Sequence, residues 1–358
     1  MKSTLPPSHP PIPQSSNPQV PVSDCRRVRR QPSESKSLNI GCLDLPTRLA
    51  TWHLRCLRST AGYPSARKSA FSGGPFVARI LSISSLAPGV SRLWLDAPPI
   101  AKKRQPGQFV ILRIDEQGER IPLTIADVDV ARGAISVIVQ AVGKSTRQLC
   151  AMHGGDDVLD VVGPLGLPTH IGEREQVCCV GGGIGTAVVY PIARGVKDKG
   201  GKVVAIIGGR SKDLVILEQE LRQIADDVIV TTDDGSYGRK GLVTHALQDL
   251  IEKGHAFDNV VAVGPIRMMQ AVCDLTRPLK LRTTVSLNPV MVDGTGMCGG
   301  CRVTVGGQQK FVCVDGPEFD GHEVNFAELA ARLEAYRDQE RASMERMQQM
   351  SAVGMEAW

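Results

Sequence analysis

The chain has 358 residues, of which 42% are hydrophobic and 22% charged, enough for two or three domains with sizeable cores. Its net charge is +5, yet residues 1–74 hold 11 Lys/Arg against 3 Asp/Glu, leaving 31 basic and 34 acidic residues beyond them, a balance of −3. The basic excess therefore belongs to the N-terminal tail and points to no nucleic-acid binding by the folded part. No run of about 18 uncharged apolar residues offers a membrane span.

Residues 1–74 are rich in Pro, Ser and Arg, as in Pro10-Pro11-Ile12-Pro13 and Arg26-Arg27-Val28-Arg29-Arg30. Such a composition does not bury a core. The segment reads as a disordered or misassigned N-terminal extension. A start codon placed too far upstream, a natural extension and a basic, acid-poor transit peptide all fit it.

Residues 75–172 read as short strands: Val77–Leu81, Ser91–Leu95, Phe109–Ile114 and Ala134–Val139, with turns at Pro106-Gly107 and Gln117-Gly118. Strands at this spacing suggest a small antiparallel β-barrel. Two segments there suit a phosphate. Arg120-Ile121-Pro122-Leu123-Thr124-Ile125 opens a strand. Gly143-Lys144-Ser145-Thr146 precedes a helical Arg147-Gln148-Leu149. By residue type alone, an ordinary Ser/Thr helix cap explains the second equally well.

Residues 173–285 alternate apolar strands (Val177–Val180, Val203–Ile207, Val228–Val230, Val260–Val263) with helical stretches. This is the pattern of a doubly wound parallel sheet. The first strand runs into Gly181-Gly182-Gly183-Ile184-Gly185-Thr186, and a helical stretch from Ala187 to about Val196 follows. Strand, glycine loop and helix are the context of a dinucleotide site, where backbone N–H groups at the helix start can hold a pyrophosphate; a tight structural turn is the other reading. Thr186 stands where the last glycine of the usual pattern would be. The loops with Arg210, with Asp233, and with Gly264-Pro265-Ile266-Arg267-Met268 lie at carboxyl ends of strands, where ligands bind in open α/β sheets. Arg210 could meet a 2′-phosphate or a diphosphate, and the other two loops, with Asp-Gly and Gly-Pro, could equally be ordinary turns. No acidic residue follows the second strand directly, so NAD and NADP stay open.

Residues 286–358 carry Asp293, Cys298, Cys301 and Cys313, spaced D-x4-C-x2-C-x11-C. C-x4-C-x2-C with a distant fourth cysteine is the plant-type spacing for a [2Fe–2S] cluster, here with Asp at the first position. Glycines between the ligands suit a loop wrapped tightly around it. Zinc is the rival reading, but zinc sites usually bring a second close cysteine pair. Another protein group or water could replace Asp293 as fourth ligand. Cys301–Val305, Gly306-Gly307 and Lys310–Val314 read as a hairpin returning Cys313 to Cys301. Phe326, Leu329, Leu333 and Tyr336 give a helix running to about Met350. The other cysteines include Cys178 and Cys179 in an apolar run, as buried thiols in a reducing cytoplasmic setting.

The order barrel, glycine-loop α/β unit, cysteine segment resembles the ferredoxin–NADP reductase superfamily, of fold class β + α/β. More narrowly, residues Phe76 to about Leu333 resemble the flavin and [2Fe–2S] subunits of the NADH-dependent reduced ferredoxin:NADP oxidoreductase type. These are also called sulfide dehydrogenase or ferredoxin–NADP reductase alpha subunits. They are relatives of the electron-transfer subunit of dihydroorotate dehydrogenase. Those dihydroorotate relatives carry four cysteines, so Asp293 favours the first type.

The resemblance implies FAD in the barrel, held by Arg120, Pro122, Leu123, Thr124, Gly143, Lys144, Ser145 and Thr146. The family's R-x-Y-S flavin motif is partly kept: Thr124 stands for Ser, Leu123 for Tyr, and Ile121 occupies the place matching Arg. NAD(H) or NADP(H) would take Gly181, Gly183, Gly185, Thr186, Arg210, Asp233, Gly264, Pro265 and Met268. Asp293, Cys298, Cys301 and Cys313 would ligate the cluster. Expected is an NAD(P)H-dependent flavoprotein oxidoreductase passing a hydride to FAD and single electrons to the cluster, with no side-chain acid or base. The expected partner is a larger subunit resembling the glutamate synthase small subunit, with a second flavin and [4Fe–4S] clusters, or a ferredoxin. Two other readings are a dihydroorotate dehydrogenase electron-transfer subunit and a redox-sensing nucleotide-binding module without turnover.

Overall fold

The computed structural model describes residues 76–352. The N-terminal extension read above lies outside the described residues. From Phe76 the chain builds six strands and two helices: β1 (Phe76–Ala87), β2 (Val90–Asp96), α1 (Pro98–Ala101), β3 (Phe109–Arg113), β4 (Ile121–Asp129), β5 (Ala134–Gln140), α2 (Lys144–Ala151) and β6 (Asp157–Leu165). The strands close an antiparallel barrel in the order β1-β2-β5-β4-β3-β6. Closure pairs every strand on both sides and leaves no open edge.

The barrel interior is filled by Ile80, Leu93, Leu95, Leu112, Ile125, Ile135 and Val137, all fully buried. β5 is buried on both faces, one toward the barrel and one, through Ile138, toward the following sheet. β6 has no counterpart in the sequence reading. It carries Gly163 and Pro164, residues that weaken a strand pattern. It closes the barrel nonetheless by pairing with both β1 and β3.

The second unit runs β7 (Gln176–Gly182), α3 (Thr186–Asp198), β8 (Lys202–Gly209), α4 (Glu218–Ile224), β9 (Asp227–Thr232), β10 (Arg239–Lys240), α5 (Val243–Glu252), β11 (Asn259–Val263), α6 (Ile266–Thr276) and β12 (Thr283–Ser286). The last segment adds β13 (Arg302–Val305), β14 (Gln308–Phe311), α7 (Val312–Asp315), β15 (Glu318–Asp320), α8 (Phe326–Glu334) and α9 (Arg337–Ala352). The sheet order is β10-β9-β8-β7-β11-β12-β15. It is parallel from β10 to β12. Its last strand, β15, comes from the cysteine segment and runs antiparallel to β12.

Two elements differ from the sequence reading. The hairpin β13–β14 turns at Gly306-Gly307 as expected, but its second strand stops at Phe311 and Cys313 sits in the helical turn α7. Asp315 accounts for the stop, since its carboxylate accepts the Phe311 N–H at 2.6 Å. The C-terminal helix is two helices. Phe326 and Leu329 anchor α8 in the core, whereas Tyr336, at the break before α9, is 55% exposed.

The barrel and the sheet are joined at the back by ion pairs. Arg194 on α3 meets Asp127 on β4 at 2.7 Å, and Arg92 on β2 meets Glu220 on α4 at 3.0 Å. Ala87, Val90, Ala126 and Ile138 of the barrel share one apolar cluster with Ile192, Val196 and Leu217 of the sheet unit. Among the described residues no helix is long and apolar enough to cross a membrane.

Candidate functional site

A cleft of about 960 Å³ opens between the barrel and the carboxyl edge of the parallel sheet. Pro122, Leu123 and Thr124 line its barrel wall, with Thr146 at the start of α2. Gly183, Gly185, Arg210, Asp233, Gly264, Pro265 and Met268 line the sheet side. Eleven of the residues expected to hold cofactors are thus brought to one surface. Arg120, Gly143, Lys144, Ser145, Gly181 and Thr186 do not line it.

Local contacts account for all of these but Lys144. The Arg120 guanidinium turns to Asp160 at 3.7 Å, a carboxylate already held by Arg113 at 2.6 Å. Ser145 is buried and donates to Glu119 Oε2 at 2.5 Å. The Thr146 hydroxyl accepts the N–H of Gly143 at 2.9 Å and of Val142 at 3.1 Å, so it acts as a local cap. What α2 can offer an anion is its N-terminal backbone amides and the positive end of its dipole. Gly181 lies inside β7 and Thr186 packs over it, 98% buried by its 2% exposure.

The glycine loop has a steric logic. A Cβ on Gly185 would overlap the carbonyl of Val263, and one on Gly182 would strike the Met268 sulfur. β7, the loop and β11 therefore approach as closely as backbones can. The first turn of α3 has no side-chain cap, and Gly183, Ile184, Gly185 and Ala187 around it face the cleft. Free N–H donors at a helix start fit a pyrophosphate.

The sequence reading missed a third wall. Ser286, Leu287, Asn288, Met291 and Pro317, all around the cysteine segment, also line the cleft. Asn288-Pro289 directly after β12 was the available signal, a turn pair at a strand's carboxyl end.

The cysteine loop lies against this third wall. The Asp293 carboxylate accepts the N–H groups of Thr295 at 3.1 Å and of Cys298 at 2.9 Å. Burial works to raise its pKa, and these bonds outweigh it, holding the carboxyl below its usual value. Gly294, Gly296 and Gly299 have φ of 73°, 84° and 66°, the left-handed region that lets the loop fold back on itself. Cys298 is exposed, whereas Cys301 and Cys313 are buried. The Val312 N–H bonds to the Cys301 carbonyl at 3.1 Å, and the Cys313 N–H points at the Cys301 sulfur at 3.4 Å. Burial pushes the Cys313 thiol up to about 12, with the Cys301 thiol beside it adding to the rise.

Among the described residues no three His, Cys, Asp or Glu side chains are grouped to hold a metal ion. A [2Fe–2S] centre divides its ligands between two irons. The donor set fits it chemically: three thiols and one carboxylate, on the cysteine loop and the turn α7, with backbone amides facing sulfur.

Comparison with known proteins agrees with this arrangement. Residues 179–274 match the oxidoreductase NAD-binding domain, and residues 288–325 match the iron–sulfur cluster binding domain of dihydroorotate dehydrogenase B. The chain is 47% identical over 274 residues to the dihydroorotate dehydrogenase B (NAD(+)) electron transfer subunit homolog of Thermotoga maritima, covering 76% of this chain and 96% of that one. It is 34% identical to the dihydroorotate dehydrogenase B electron transfer subunit of Shouchella clausii, over 65% of this chain and 91% of the relative. A chain from the structure of the NADH-dependent reduced ferredoxin–NADP oxidoreductase, solved to study flavin-based electron bifurcation, superposes with a TM-score of 0.72 at 47% identity. That match covers 75% of this chain and 97% of the other. With an NAD-binding sheet, a cluster-binding segment and these relatives, the chain belongs to the oxidoreductase family of iron–sulfur electron-transfer subunits that includes the dihydroorotate dehydrogenase B and NADH-dependent reduced ferredoxin–NADP oxidoreductase subunits.

Proposed function

We propose that this chain moves electrons between NAD(P)H, an FAD seated against the barrel wall, and a [2Fe–2S] cluster on Asp293, Cys298, Cys301 and Cys313. One observation carries the reading. A single cleft is walled by the barrel, the glycine loop and the segment that leads into the cysteine loop. FAD supplies the exchange between two-electron hydride chemistry and one-electron transfer.

The residues bind, orient and shield. Amides at the starts of α2 and α3 hold the two diphosphates. Pro122, Leu123 and Thr124 present a mostly apolar wall to an isoalloxazine ring. Gly264, Pro265 and Met268 shape the nicotinamide end, and Arg210 and Asp233 flank the far ribose. Arg120, tied to Asp160, holds the start of β4. Met291 and Pro317, near the cysteine loop, close the cleft against water.

The family's members named above are subunits of larger assemblies, and this chain is an electron-transfer subunit with a partner. We infer a larger subunit resembling the glutamate synthase small subunit, with a second flavin and [4Fe–4S] clusters. The carboxylate at position 293 supports that choice over a dihydroorotate dehydrogenase. A cytoplasmic setting suits the seven free cysteines among the described residues.

The test is anaerobic purification of the chain, flavin and iron analysis, and EPR after NADH or NADPH. About one FAD and two irons per chain, with a rhombic reduced-cluster signal, support the reading. Zinc in place of iron, or flavin that neither nucleotide reduces, overturns it. Anaerobic co-purification of a dihydroorotate dehydrogenase as partner would overturn the partner assignment alone.

A further inference from the structure

The peptide linker between Cys298 and Cys301 is Gly299-Gly300, and both of its carbonyls are held by arginines. Arg302 Nη1 donates to the Gly299 carbonyl at 3.1 Å. Arg332 Nη2, reaching over from α8, donates to the Gly300 carbonyl at 2.9 Å. The two arginines come from different elements, 30 positions apart in sequence, and converge on adjacent peptides.

Several arginines among the described residues are matched by carboxylates, as Arg113 is by Asp160, Arg194 by Asp127 and Arg239 by Asp249. Among the described residues neither Arg302 nor Arg332 has an ion-pair partner. The Arg332 Nε is buried and makes no hydrogen bond there. Arg302 is exposed, but Arg332 is half-buried, and a cation there without a counter-charge is unfavourable unless negative charge lies close by. The carbonyl that Arg332 holds belongs to the cysteine loop, whose ligating thiolates would carry such charge.

The bonds also have a direction. The Gly299 carbonyl belongs to the same peptide as the Gly300 N–H, and that N–H points at the Cys298 sulfur at 3.4 Å. A guanidinium on the carbonyl end polarises the amide and makes its N–H a stronger donor. Donation to a ligating sulfur, and positive charge near it, both favour the more negative, reduced state of a cluster.

We propose that Arg302 and Arg332 are a pair of positioning residues that hold the Gly299-Gly300 linker and raise the reduction potential of the cluster it surrounds. The proposal rests on the cluster assignment above. It gives α8 a role beyond packing, since Phe326 and Leu329 anchor the helix that delivers Arg332. Nothing but one electron is exchanged, supplied by dithionite or by reduced nicotinamide through the flavin.

The experiment is an EPR-monitored redox titration of the full-length holoprotein carrying Arg332→Gln, Arg302→Gln, both together, or Arg332→Lys. Each Gln variant should bind full iron and shift the reduced-to-oxidised ratio at the wild-type midpoint three- to tenfold toward oxidised. Tenfold corresponds to about 59 mV for one electron. The double variant should shift further, and Arg332→Lys, which keeps the charge but not the planar fork, should fall between Gln and wild type. Unchanged midpoints in both single variants overturn the proposal. So does lost iron with the remaining cluster at the wild-type midpoint, which marks a merely structural clamp. A wild-type protein without iron overturns the cluster assignment instead, so the two failures are distinguishable.

Discussion

Replacing Glu318 by Gln should make the protein more stable at pH 8 and leave it unchanged at pH 5. Glu318 opens β15, part-buried where the barrel's exit, the sheet and the cysteine segment meet, and accepts the Thr169 hydroxyl at 2.6 Å. Among the described residues no cation pairs with it. Burial raises its pKa from 4.5 to about 7, with the Thr169 bond pulling the other way. Between those values the folded protein keeps a proton that the unfolded chain has released. Stability therefore falls as pH rises: the contribution is complete below 4.5 and lost above about 7. At about 1.36 kcal/mol per pH unit the loss has a ceiling of about 3 kcal/mol, and partial solvation brings it to about 2 kcal/mol. Gln keeps the oxygen that Thr169 needs and never ionises. At about 2–4 °C per kcal/mol for a protein of this size, Glu318→Gln should raise Tm by about 4–8 °C at pH 8. Scanning calorimetry of both proteins from pH 5 to pH 8 reads this directly. Tm curves that stay parallel across the range would refute the buried, unpaired carboxyl.

Gly185→Ala should keep flavin and iron but weaken nucleotide binding about tenfold, roughly 1.4 kcal/mol, because the new methyl displaces the loop from Val263; the concentration dependence of flavin reduction by NADH measures it. Leu329, on α8, is fully buried, so Leu329→Ala should cost about 2–5 kcal/mol in urea unfolding followed by circular dichroism. Asn325 caps α8 by accepting the Glu328 N–H at 3.1 Å, and Asn325→Ala should cost about 1 kcal/mol in the same assay.

The barrel and the parallel strands were legible because apolar runs such as Val203–Ile207 and Ile135–Val139 are buried on both faces and read as strands without help from tertiary context. β6 and β15 were not. β6 carries a Gly-Pro pair, and β15 has three residues that become a strand only because β12 offers an unpaired edge. Cys313 was placed in the right neighbourhood but on the wrong element, since Asp315 ends β14 through a bond that no periodicity announces. Glycine and proline marked several residues whose backbone lines the cleft, such as Gly183, Gly185 and Gly264-Pro265. Side-chain orientation was not legible. Arg120 and Ser145 have the right types for a phosphate, and their actual partners, Asp160 and Glu119, are distant or uninformative in sequence.

The placement of the cysteine loop follows from where its two ends are tied. Its N-terminal side continues from β12, a strand of the nucleotide-binding sheet, and its C-terminal side returns to the same sheet as β15. Between them Gly294 lies against Ile111 and Leu165 of the barrel, and the Leu167 N–H bonds the Gly316 carbonyl at 2.6 Å. A loop fixed to both units at its base cannot swing away from either without breaking sheet or barrel contacts. Cys298 and Met297, the latter 88% exposed, reach solvent. The buried thiols thus share a core cluster with Phe109 and Met291 of the cleft lining, while the Cys298 thiol is at the surface. That polarity suits a carrier that receives electrons from within the chain and delivers them across its surface.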